Sequence, residues 1–137
     1  MLPVSPRRPT RVVRRGLATA ELALALPVLL VVLMAIFEFS LLFLARGEVV
    51  EASREGARVA SLPGATWDSV DGAVRQSLTP RLRESVEIDI SGGERAGEVT
   101  SVTVLVPMHL ASPDLLWPIG YSLKGRMLIA ESRMMRE

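Results

Sequence analysis

The stretch 16-GLATAELALALPVLLVVLMAIFEFSLLFLA-45 decides how this chain folds. Its central run, Leu22 to Ala45, holds 24 residues interrupted by Glu38, Ser40 and one proline, Pro27. As a helix it would measure about 36 Å at 1.5 Å per residue. That exceeds the ~20 residues needed to cross a bilayer. Yet Glu21 stands at the mouth of the run, and a carboxylate in hydrocarbon is costly. Just before it, residues 1–16 carry Arg7, Arg8, Arg11, Arg14 and Arg15 and no acid. The whole chain has a net charge of +1; without those five arginines, 11 basic residues face 15 acidic ones. The basicity belongs to the leader, so it speaks for membrane orientation rather than nucleic-acid binding. The positive-inside rule then predicts a single-pass protein of the inner (cytoplasmic) membrane, N-terminus cytoplasmic and everything after Arg46 extracytoplasmic.

A secretory signal peptide shares the basic start. Its apolar region is shorter, about 7–15 residues, and ends in a small-x-small cleavage site. Here the run is longer and passes directly into Arg46-Gly47-Glu48. A retained helix is the expectation, with transmembrane residues at about 22–45. Pro27 lacks an amide hydrogen and is expected to kink or loosen the helix one turn back. Glu38 lies beyond the middle of the run. It is either a protonated or snorkelling side chain near the outer interface or a candidate helix–helix contact, which Ser40 could share.

The helical pattern outlasts the apolar run. In 47-GEVVEASREGARVAS-61, Val49, Ser53, Gly56 and Ala60 share one face, flanked by Val50 and Ala57. Glu51 with Arg54 and Glu55 with Arg58 form opposite-charge pairs on the other side. Leu62-Pro63-Gly64 ends the helix. Residues 17–61 therefore read as one helix, with 46–61 outside the membrane and a surface of small residues that permits close approach.

Residues 62–137 read as a small extracytoplasmic domain. Thr66 is placed to cap a helix over Trp67–Thr79, with Asp68 and Asp71 at its positive end. Val70, Ala73, Val74 and Leu78 form its buried stripe, and Pro80 stops it. The period then changes to two: Val86, Ile88 and Ile90 alternate with acids, and Val102, Val104 and Val106 share a face of residues 99–106. Residues 91–97 link these two strands. Residues 107–120 form an apolar, proline-rich loop, suited to folding over the core, meeting a membrane surface or meeting another subunit. A third strand is expected over residues 121–134, with Leu123, Met127 and Ile129 on its buried face. The fold class is α+β: a long membrane-spanning helix continuing into one short helix and about three antiparallel strands. A domain of this size buries little core and gains from packing on the long helix.

No catalytic constellation emerges. There is no cysteine, and the single histidine, His109, has no partner at metal-ligand spacing. There is no Gly-x-Ser-x-Gly elbow, and Gly92-Gly93 and Gly97 lack the Lys-Ser/Thr of a phosphate loop. The reading is no enzyme, no cofactor, no metal, no nucleic acid and no small-molecule substrate.

Gly16 after a basic leader, Glu21 five residues on and an apolar helix beginning around it resemble the type IV prepilin signature. Together, 18-ATAELALALPVLL-30, 36-IFEFS-40 and 54-REGARVA-60 resemble the TadE-like family, pseudopilins or minor pilins of the tight-adherence (Flp) pilus system. The closing run 127-MLIAESRMMRE-137 is similar to the last strand of such proteins. The resemblance implies cutting between Gly16 and Leu17 by a prepilin peptidase, with Arg54, Glu55, Gly56, Ala57 and Arg58 as a family motif. It also implies other pilin or pseudopilin subunits and the Tad assembly platform as partners. In two respects the sequence departs from the pattern. Leu22 follows the glutamate where an aromatic residue is usual, and the chain is longer than a major Flp pilin, which favours an accessory role. The alternative is a permanent single-pass anchor displaying a binding domain.

Overall fold

The computed structural model describes residues 14–93 and 95–137. Most of the basic leader, with Arg7, Arg8 and Arg11, lies outside the described residues. The chain divides into two units, Met1–Leu33 and Met34–Glu137. Helix α1 covers Arg14–Ala60 and contributes to both.

In the first unit α1 is apolar and open. Leu22, Leu24, Leu26, Val28, Leu29, Leu30 and Leu33 are all exposed. The helix is unbroken through Pro27, whose ring leaves the carbonyl of Ala23 without an amide partner.

The second unit is the α+β body. Its elements after α1 are α2 (Trp67–Gln76), α3 (Pro80–Arg83), β1 (Glu87–Gly92), β2 (Val99–Pro107), α4 (Met108–Ala111) and β3 (Met127–Met135). The three strands form an antiparallel meander in the order β1-β2-β3. Ile90 pairs with Val102, and Val102 with Ser132. From α1 the buried side chains are Glu38, Leu42, Ala45, Val49, Ala52, Ser53, Ala57 and Ala60. Their spacing of three and four residues is a helix presenting one face. Val102, Val104 and Val106 of β2 fill the facing layer with Val70, Val74 and Leu78. The opposite sheet face carries Glu87, Asp89, Thr103, Glu131 and Arg133, as expected of an antiparallel sheet covered on one side.

Gly56 shows how closely these layers meet. A Cβ built on it would stand 2.7 Å from Val74 Cγ2 and 3.0 Å from Val102 Cγ1. Only a residue without a side chain lets α1 approach α2 and β2 so closely. Beside it, the Ser53 and Ser132 hydroxyls hydrogen-bond at 2.8 Å, tying α1 to β3.

Three local expectations need correction. The second helix ends at Gln76, not Thr79, because Ser77 donates back to the Ala73 carbonyl and caps it. Pro80 then occupies the first turn of α3, where its missing amide hydrogen costs nothing. The third strand starts at Met127 rather than Tyr121, and its faces are reversed. Leu128 and Ala130 are buried, whereas Ile129 is 54% exposed. Between Leu123 and Met127 the chain turns through Gly125 at φ +74°. Leu123 is therefore buried from a loop, and the two-residue period cannot be carried through it.

Candidate functional site

The residues singled out by sequence all lie along α1. At the N-terminal end of the described residues, the peptide joining Gly16 to Leu17 lies within α1. Glycine at position 16 weakens the helix there, by about 1 kcal/mol relative to alanine in a helix interior.

Glu21 stands one turn beyond Leu17 and is exposed. Residues four apart lie on the same helix face, about 6 Å apart along the axis, and side chains lean toward the N-terminus. Glu21 and Leu17 therefore share one face of α1. The ion pairs among the described residues lie elsewhere, at Glu51–Arg54, Glu55–Arg58, Asp71–Arg75 and Glu131–Arg133.

At the other end, 54-REGAR-58 divides by face. Gly56 and Ala57 are buried against α2 and β2, while Arg54 and Arg58 point outward. Arg58 Nε donates to Glu55 at 2.9 Å. That hydrogen bond holds the Glu55 carboxyl below its ordinary value of 4.5, with a smaller contribution from the guanidinium charge.

Between these stretches stand Glu38 and Ser40. Glu38 is fully buried, and its Oε2 accepts a 3.0 Å hydrogen bond from the backbone amide of Leu116. Its Oε1 is also buried and has no partner among the described residues. The carboxylate is engaged by the loop of its own chain, so at this level the polar group α1 can offer to another helix is that of Ser40. Ser40 is exposed, with Oγ donating to the Ile36 carbonyl one turn back at 2.7 Å.

The residues that hold this loop were not singled out by sequence. Asp114, at φ +51°, accepts from Ser122 Oγ and the Leu123 amide, each at 3.0 Å. Arg81 donates to the Ala111 carbonyl. Tyr121 packs its ring 6.1 Å from that of Phe39, and the Arg126 guanidinium lies 4.9 Å over the Tyr121 ring. The only sequence signal for this arrangement was the unusual apolarity of residues 107–120. His109 sits exposed on α4.

The described chain thus defines a class: a small α+β domain built on an α-helix long and apolar enough to cross a membrane. Within that class, residues 16–58 match the family model described as TadE-like protein. The match takes in Gly16, Glu21 and the REGAR motif, and the sequence there is similar to that of TadE-like proteins, a family associated with the Tad pilus. No curated protein and no solved structure matches the chain.

Proposed function

We propose that this chain is a TadE-like pseudopilin or minor pilin that assists assembly of a tight-adherence (Flp) pilus or a related secretion apparatus. In this reading a prepilin peptidase cuts between Gly16 and Leu17, removing the arginine-rich leader. The apolar helix remains on the mature protein and holds it in the inner membrane, with the α+β domain on the outer side. The observation that carries the proposal is where the family match begins: at Gly16, the last residue before the expected cut.

Cleavage leaves an α-amine on Leu17 that is positively charged at neutral pH. Glu21, one turn on and exposed, is the acid that receives it. Spacing allows the amine of its own chain or of a neighbour, and the resemblance to pilin-like proteins favours a neighbouring subunit's. Charge pairs in low dielectric are far stronger than in water. A misplaced subunit would leave both charges buried and unpaired, at a cost of about 3–5 kcal/mol. Glu21 is therefore chiefly a device for correct register. The pilin subunits and the Tad assembly platform are the partners, and the role is structural rather than catalytic.

The test is a comparison of membrane fractions with and without the prepilin peptidase. A peptidase-dependent increase in mobility, abolished by a bulky replacement of Gly16, supports the proposal. A permanent anchor would show one uncut membrane form in both. A secreted domain would appear as soluble protein whether or not the peptidase was present.

A further inference from the structure

The apolar loop after β2 leaves its largest hydrophobic side chains in the open. Trp117 is 68% and Ile119 59% exposed, although Leu116, next in the chain, is buried and bonded to Glu38. That bond fixes the level of the loop on α1. Phe39 and Phe43 of α1 are exposed, Tyr121 touches Phe39, Arg126 stacks on Tyr121, and Lys124 is exposed. Tryptophan and tyrosine beside phenylalanine, with lysine and arginine reaching outward, is the side-chain set found where bilayers meet water. The chain has two tryptophans and one tyrosine, and two of these three are in this loop.

We infer that residues 114–126 form a foot that rests in the outer headgroup zone of the bilayer, with Trp117 and Ile119 inserted and Lys124 and Arg126 facing lipid phosphates. The occupant of this surface is the lipid that surrounds α1, because Tyr121 of the loop packs on Phe39 of α1, one turn from the exposed Phe43. The headgroup zone is about 5–7 Å deep on each side of the ~30 Å hydrocarbon. Phe39 to Phe43, four residues or about 6 Å of helix, fits within it.

The boundary of the span moves accordingly. With the foot at Glu38, the hydrocarbon part of α1 is Leu17 to Phe37, about 21 residues and ~32 Å, rather than residues 22–45. Glu38 then stands at the outer edge of the hydrocarbon, under the Leu116 amide. The inference rests on α1 spanning the membrane and not on pilus assembly.

The two tryptophans make it testable. Trp67 is also exposed, but it borders Ala60 on the domain surface, 22 residues or about 33 Å along α1 from Glu38. The full chain, with Trp67→Phe or Trp117→Phe, is placed in vesicles of phosphatidylethanolamine and phosphatidylglycerol, and insertion is checked by flotation. Lipids brominated near the headgroup or at the chain centre quench a tryptophan at their own depth; acrylamide quenches one in water. Trp117 should lose most of its emission to the shallow bromines and little to acrylamide, and Trp67 the reverse. Equal acrylamide access for the two, without lipid quenching, would overturn the inference. So would a Trp117 shielded from acrylamide yet untouched by brominated lipid, which would indicate a protein partner, or one quenched best at the chain centre. If either variant fails to fold, the wild-type chain reads the same contrast as two emission populations, one lost to bromolipid and the other to acrylamide. Failure of flotation removes the span itself and overturns the inference with it; normal flotation without pili leaves the lipid measurement intact.

Discussion

Glu21 and Gly56 show two ways in which one residue governs this chain. Glu21 is exposed on an apolar helix, so nothing in the folded domain depends on its charge. Glu21→Gln should leave membrane insertion unchanged, as read by flotation, and reduce piliation sharply. Normal pili with that substitution would contradict the pairing of Glu21 with a neighbour's amine. Gly56 depends on its lack of a side chain. Gly56→Ala gains about 1 kcal/mol in helix propensity, but its Cβ would meet Val74 and Val102 at 3.0 Å or less, and overpacking of this kind costs about 1–3 kcal/mol. The clash should win, lowering the denaturation midpoint of the full chain in detergent. Adding Val74→Ala should give a double mutant more stable than the two losses summed, since the sites are in contact. Gly47 has open space around its Cβ position, so Gly47→Ala should raise the midpoint, with propensity alone at work. The importance of Gly56 was only partly legible in the sequence. The small-residue stripe of α1 could be read from spacing, but not the two valines that meet it from α2 and β2.

At the scale of elements, the interest lies in what the α1 face meets. Its helical periodicity and the Thr66 cap of α2 were readable because both are local, set by residues three or four apart. β1 and β2 were readable from alternation. β3 was placed on the wrong face because Gly125 turns the chain just before it, and a shift of one residue exchanges all inward and outward positions. The Glu38–Leu116 contact was illegible for another reason: its partners are 78 residues apart, and the partner is a backbone amide without a sequence signature. Its contribution is measurable. Glu38→Ala removes the acceptor from a buried amide, at a cost of about 1–3 kcal/mol. It should speed hydrogen exchange at Leu116 and open the loop to proteolysis between Ser112 and Leu123. Glu38→Gln keeps an acceptor oxygen and should stay close to wild type. Equal protection of Leu116 in both variants would show that the loop does not depend on this bond.

For the whole molecule, the proposed function makes α1 the link between processing and assembly. Its apolar surface suits it to a bilayer, and its buried face packs against the domain. The small domain draws part of its core from that face, through Val49, Ala52, Ala57 and Ala60. The part of the chain that matches the family model, residues 16–58, lies wholly within this helix. It contains the membrane segment and the seat for the domain together. The three strands and the loop after β2 lie outside the match and give this chain its own outer surface. The most direct measurement is N-terminal sequencing of the protein isolated from membranes of cells that contain the prepilin peptidase. The account predicts a first residue of Leu17. An intact Met1, or a start near Gly47, would contradict it.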